Sequence, residues 1–157
     1  MQDFAVSQID HIELFVPDRR EAARWYEETF GLRILPEFED WADNPRGPLM
    51  IGTLEGSTKL ALFTGRSQGE RPTAGFHQVA FRVDRPSFEA FLHHIQLFPV
   101  FDDKGDPLHE LTVRDHGLAL SVYFHDPYGH RLEITTYEVD HPDYPDRQVA
   151  GAQFARR

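Results

Sequence analysis

His11, His77 and Glu133 are of the residue types that bind divalent cations, and the two histidines recur at matching places along the chain. His11 lies in Asp10-His-Ile-Glu-Leu14 and His77 in Phe76-His-Gln-Val-Ala-Phe81. Each stands in an alternating apolar run ahead of a segment with helical spacing. Glu133 lies in Arg131-Leu-Glu-Ile134, whose earlier counterpart is Lys59-Leu-Ala-Leu62, so Ala61 stands where Glu133 does. Each half therefore offers a histidine, and only the second offers the carboxylate. Two neutral imidazoles and one carboxylate make a three-ligand face with open coordination positions, suited to Fe(II) or Mn(II) and to a chelating substrate. Taken singly, either histidine reads as a core or surface residue, and Glu133 as a glutamate on the wet face of an antiparallel sheet. The joint arrangement favours the metal.

The elements that must position these groups follow from periodicity. Ile9 to Val16 alternates as a strand, with Ile9, His11, Glu13 and Phe15 on one face. Asp18 and Glu21 make a capping-box start for a helix carrying Ala22, Trp25, Tyr26, Thr29 and Phe30 on one side, and Gly31 suits its end. Leu32 to Phe38 is expected as a short strand, 39–48 as a loop, and Leu49 to Leu54 and Thr58 to Thr64 as two further strands. Gly65 to Gly75 reads as a linker. The order then repeats. Phe76 to Val83 is a strand, Pro86 opens a helix bearing Phe88, Phe91, Leu92 and Ile95, and Phe98 to Phe101 is a short strand. Leu108 to Arg114, Leu118 to His125 and Arg131 to Tyr137 complete the set, the last two joined by the turn Asp126-Pro-Tyr-Gly129. Thus β-α-β-β-β occurs twice, over 9–64 and 76–137, within a single domain of 1–157. The fold class expected is α+β, two tandem βαβββ modules with mixed sheets and outer helices. The tail, 138–157, is expected to be irregular or to cover a sheet edge.

Composition bounds the function. The chain has 157 residues, enough for one core, and a formal net charge of −10. That charge argues against nucleic acid and anionic membranes as partners. No apolar run approaches the length of a membrane span, and the start lacks the features of a secretory signal, so a cytoplasmic protein is expected. Cysteine is absent, which leaves His, Asp and Glu as the available metal ligands.

Asp10-His-Ile-Glu-Leu14, Phe76-His-Gln-Val-Ala80 and Asp126-Pro-Tyr-Gly-His-Arg-Leu-Glu133 together resemble the vicinal oxygen chelate superfamily, which includes glyoxalase I, bleomycin-resistance proteins, fosfomycin-resistance enzymes and extradiol dioxygenases. The resemblance spans roughly residues 7–138. It implies paired modules forming a cup-shaped sheet around a metal, with His11, His77 and Glu133 as ligands. Glyoxalase I enzymes add a fourth protein ligand where this chain has Ala61. Fosfomycin-resistance enzymes carry threonine where this chain has Glu13, and they hold the phosphonate with lysine and serine groups that Leu111 to Leu120 lacks. Bleomycin-type binding modules usually lack the triad.

Extradiol dioxygenases are the most similar branch. His116, Val122-Tyr123, Asp126-Pro127, Gly129 and Glu133 fall at their signature spacings, although Arg114 is unusual for that signature. This resemblance implies His116 as proton shuttle and Tyr123 as hydrogen-bond donor, with a catechol-type aromatic and dioxygen as substrates. It implies Fe(II), or Mn(II) next, as cofactor, and a homodimer. Glu13, Phe63, His125 and Tyr137 are candidate substrate contacts, and Phe15, Phe81 and Trp41 candidate wall residues. The remaining alternatives are a glyoxalase- or fosfomycin-type lyase or transferase on the same metal, and a protein that binds a small ligand.

Overall fold

Apolar alternation starting at Ile12 and again at Val79 opens two sheets of the same plan. The computed structural model describes residues 8–66, 77–115 and 119–139, and the backbone of 152–155. Two compact units divide the chain, Met1–Ala74 and Gly75–Arg157.

The first unit runs β1 (Ile12–Phe15), α1 (Arg19–Phe30), β2 (Arg33–Ile34), a 3-10 helix (Pro36–Asp43), β3 (Leu49–Gly52) and β4 (Lys59–Phe63). Its sheet has the order β1-β4-β3-β2, with β1 parallel to β4. The Asp18 carboxylate caps α1 by accepting from the Arg20 and Glu21 amides, and Gly31 ends it in the left-handed region at φ 70. Leu60 and Leu62 share one face of β4. Ala61 takes the other, where it clusters with Met50 and Leu35 against Phe38 and Phe63.

The second unit runs β5 (Val79–Arg82), α2 (Arg85–His94), β6 (Val100–Phe101), β7 (Pro107–Leu108), β8 (Leu111–Asp115), β9 (Leu120–His125) and β10 (Arg131–Thr136). β8, β9, β10 and β5 lie in that order, with β5 parallel to β10, repeating the first plan. Asp84 caps α2 through the Ser87 amide. Phe91 of α2 meets Phe124 of β9 with ring centroids 5.3 Å apart. Phe124 pairs with Leu132 and Val122 with Ile134, so these four side chains form the helix-covered face. The pattern is the expected α+β fold of two βαβββ modules.

Three local expectations are corrected. The strand expected over 32–38 is confined to Arg33–Ile34, and the first half of the loop expected over 39–48 belongs to the 3-10 helix, which ends at Asp43. Pro36 lacks the amide proton that would continue the ladder. The Arg19 guanidinium, reaching back from α1, donates to the carbonyls of Ala42, Asn44 and Gly47 and ties the segment down. The strand expected over 108–114 is broken at His109 and Glu110, leaving β7 and β8. The linker over 67–75 lies outside the described residues. So does most of the tail, but the backbone of β11 (Ala152–Ala155) pairs in parallel with β8, an added strand at the sheet's edge.

Candidate functional site

The turn between β9 and β10 sets the register of the second unit's face opposite α2. Asp126 is buried, and its Oδ1 accepts from the amides of Tyr128 and His130 at 2.9 and 2.8 Å. Its Oδ2 stands 2.6 Å from His130 Nδ1. Gly129, at φ 91, takes the conformation that closes the turn. His130 is thus part of the turn.

That register places Tyr123 directly opposite Glu133, with Ala80 on the other side. Glu133 is only 8% exposed, and Gln78 Nε2 donates to its Oε2 at 2.6 Å. A buried carboxylate needs such a donor or a cation. His125 lies opposite Arg131. The Arg131 guanidinium carbon sits 5.4 Å from the Tyr123 ring centroid, and its Nη1 donates to His77 Nε2 at 2.9 Å. Beyond Glu133, Thr135 Oγ1 donates to the Leu120 carbonyl and accepts from Ser121 Oγ at 2.9 Å. Tyr137 is exposed, with the Arg82 guanidinium 5.2 Å from its ring centroid.

In the first unit, His11 precedes β1. Its Nδ1 lies 2.7 Å from Asp10 Oδ2. A carboxylate only accepts, so Nδ1 donates and Nε2 is the nitrogen turned away from Asp10. Lys59 Nζ holds the other Asp10 oxygen at 2.7 Å. These hydrogen bonds, the one from His11 first and then the one from Lys59, hold the exposed Asp10 carboxyl below its usual pKa. Glu13 Oε1 is 3.5 Å from His11 Nε2. Phe15 and Phe63 pair across β1 and β4 with centroids 6.2 Å apart, while Phe38 and the half-exposed Trp41 meet at 4.9 Å. These aromatic residues share the Ala61 face, and Lys59 Nζ lies 5.8 Å from the Phe38 ring.

The expected ligands divide between the units, His11 in the first and His77 and Glu133 in the second. Among the described residues no three His, Asp or Glu side chains are placed to hold a metal ion. His11 fits a divalent ion, because a carboxylate holds its far nitrogen and leaves Nε2 to coordinate, the usual support for a histidine ligand. Glu133 also fits, as a buried carboxylate on the face opposite α2. His77 fits less well, because its Nε2 lone pair already accepts from Arg131 and a cation adjoins it. The residue that meets Glu133 is Gln78, which sequence reasoning passed over. The signal was present: Gln78 immediately precedes the apolar series Val79, Phe81 and Val83, as His11 precedes Ile12, Leu14 and Val16. His116 lies outside the described residues.

The repeated βαβββ unit, with Tyr123 and Glu133 side by side on the face opposite α2 in the second, defines the class of fold. Residues 8–134 match the Glyoxalase/Bleomycin resistance protein/Dioxygenase superfamily, and the chain belongs to it. A sequence search finds no match among curated proteins. Among solved structures, the chain is similar to the fosfomycin resistance protein FosX from Listeria monocytogenes, in a variant complexed with Mn(II) and a dihydroxypropylphosphonic acid. The two are 19% identical, with a TM-score of 0.61 over 86% of this chain and 95% of that one. A glyoxalase/dioxygenase from Nostoc punctiforme is 19% identical, with a TM-score of 0.58 over 88% and 99% of the two chains. The oxidase ChaP-H2 is 24% identical, with a TM-score of 0.54 over 84% and 94%. At these identities the likeness is one of fold.

Proposed function

We propose that the chain is a metal-dependent enzyme acting on a small molecule with two adjacent oxygens, and that its reaction is extradiol cleavage of a catechol-type aromatic by dioxygen. The observation that carries this reading is the pairing of Tyr123 with Glu133, which sets a phenolic donor beside a buried carboxylate on one face of a hairpin. Of the expected ligands His11, His77 and Glu133, Glu133 stands on this hairpin, with Fe(II) the first ion to test and Mn(II) the second. The ion, when bound, lowers the pKa of a coordinated hydroxyl. Tyr123 donates a hydrogen bond to a substrate oxygen, which stabilises charge developing there. His116, at the spacing of the extradiol signature, moves the proton because imidazole titrates near neutrality. Phe15 and Phe63 supply apolar surface for the ring, while Glu13, His125 and Tyr137 are further substrate contacts. Both atoms of dioxygen enter the ring-opened product, so no external reductant is consumed.

The test is anaerobic Fe(II) loading, followed by exposure of a catechol panel to air and detection of the yellow ring-cleavage product. His116→Ala is expected to keep its metal and to lower turnover about 100-fold. No product from any catechol, or normal turnover by His116→Ala, overturns the dioxygenase reading. A lyase or transferase on the same metal, or a small-ligand-binding protein, then becomes the better account.

A further inference from the structure

The motifs align His11 with His77, but strand pairing does not. Lys59-Leu-Ala-Leu62 and Arg131-Leu-Glu-Ile134 are matching strands of the two units. In the first, Leu60 pairs with Ile12, and in the second Leu132 pairs with Val79. Ile12 and Val79 therefore hold equivalent places. The residues before them, His11 and Gln78, are equivalent too, and His77 corresponds to Asp10. Counting back from the helix caps hides this: one residue, Pro17, stands between Val16 and Asp18, whereas Asp84 directly follows Val83. Neighbouring residues of an extended chain point to opposite sides, so this offset decides which side chain reaches Glu133. It is the Gln78 carboxamide, at 2.6 Å, while His77 accepts from Arg131.

We propose that Gln78 replaces the second histidine of the metal site, serving the ion at Glu133 through its carboxamide, and that His77 positions Arg131 beside Tyr123. This rests on the metal reading above. A carboxamide oxygen is a harder and weaker donor than imidazole, and the same carboxamide orients the Glu133 carboxylate through its NH₂ group. The site consequently suits hard, oxygen-preferring divalent ions such as Mn(II) more than the usual two-histidine set does.

The experiment measures Mn(II) affinity of the chelator-treated full chain by isothermal titration and by loss of the free Mn(II) paramagnetic resonance signal. The proteins are wild type, His77→Ala, Gln78→Ala and Gln78→His. His77→Ala is expected to bind as wild type does. Gln78→Ala should bind about tenfold more weakly, and Gln78→His about tenfold more tightly. If wild type fails to bind while Gln78→His binds, the placement of Gln78 stands and the metal reading falls. If His77→Ala loses tenfold and Gln78→His gains nothing, the placement falls and the metal reading stands. If neither wild type nor Gln78→His binds, both fall. Because His77 is exposed, its removal leaves the fold intact, so that arm reads binding alone.

Discussion

Asp10 is the residue that orients His11, since one carboxylate holds both His11 Nδ1 and Lys59 Nζ. Asp10→Asn keeps the shape and removes the charge. An asparagine side chain also offers an NH₂ group, so the ring can be turned to the wrong tautomer. We expect Asp10→Asn to weaken divalent-metal binding about 10-fold to 100-fold, read by the same titration, with the circular dichroism spectrum unchanged. Wild-type affinity in this variant would remove His11 from the ligand set. Tyr123→Phe tests the opposite unit. It deletes one hydroxyl and leaves the ring against Arg131. Turnover is expected to fall about 100-fold with metal binding retained, the order lost when a donor to a developing negative charge is removed.

The β9–β10 hairpin is the element that sets Tyr123 opposite Glu133, and Asp126 holds its turn. This buried carboxylate accepts from two backbone amides and adjoins the His130 ring. Asp126→Ala strands those amide donors in a buried place. A loss of about 2–4 kcal/mol is expected, measured by urea unfolding. Asp126→Asn, which can still accept, should lose less. An alanine variant as stable as wild type would mean that strand pairing alone fixes the register. The 3-10 helix of the first unit has a different support. Arg19 grips its carbonyls, and a Cβ on Gly47 would collide with the Trp41 carbonyl oxygen. Gly47 is thus required by close approach of backbone to backbone.

Across the whole molecule, exposed aspartates tie stability to pH. Asp18 is held below its usual pKa chiefly by the Glu21 amide, Asp84 chiefly by the Ser87 side chain, and Asp102 chiefly by the Asp106 amide. A depressed folded-state pKa means the unfolded chain binds more protons, so stability rises with pH in that range. The contribution is complete above the unfolded carboxylate value of about 4 and is lost as pH falls through the folded values. The urea midpoint should therefore hold from about pH 7 to 5 and decline below about pH 4. A midpoint that does not decline there contradicts the capping assignment. Assembly is a second whole-molecule property. Among the described residues β1 and β5 each stand at an end of their sheet's strand order, and strand edges invite partners. A homodimer is expected by multi-angle light scattering, and a monomer mass at every concentration would refute it. No described helix is long and apolar enough to cross a membrane.

The sequence by itself determined what local chemistry determines. Apolar periods located both helices and most strands, Asp18, Pro86 and Gly31 marked helix ends, and Asp126-Pro-Tyr-Gly129 marked the hairpin turn. It also carried the βαβββ repeat, because each module writes its own alternation. Tertiary structure decided where residues far apart in sequence meet. Arg19 converts an expected loop into a 3-10 helix from across the unit. The pairing of Val79 with Leu132 sets Gln78 against Glu133 and His77 against Arg131. A shift of one residue exchanges the faces of an extended chain, and such a register is fixed only when the distant strand is in place.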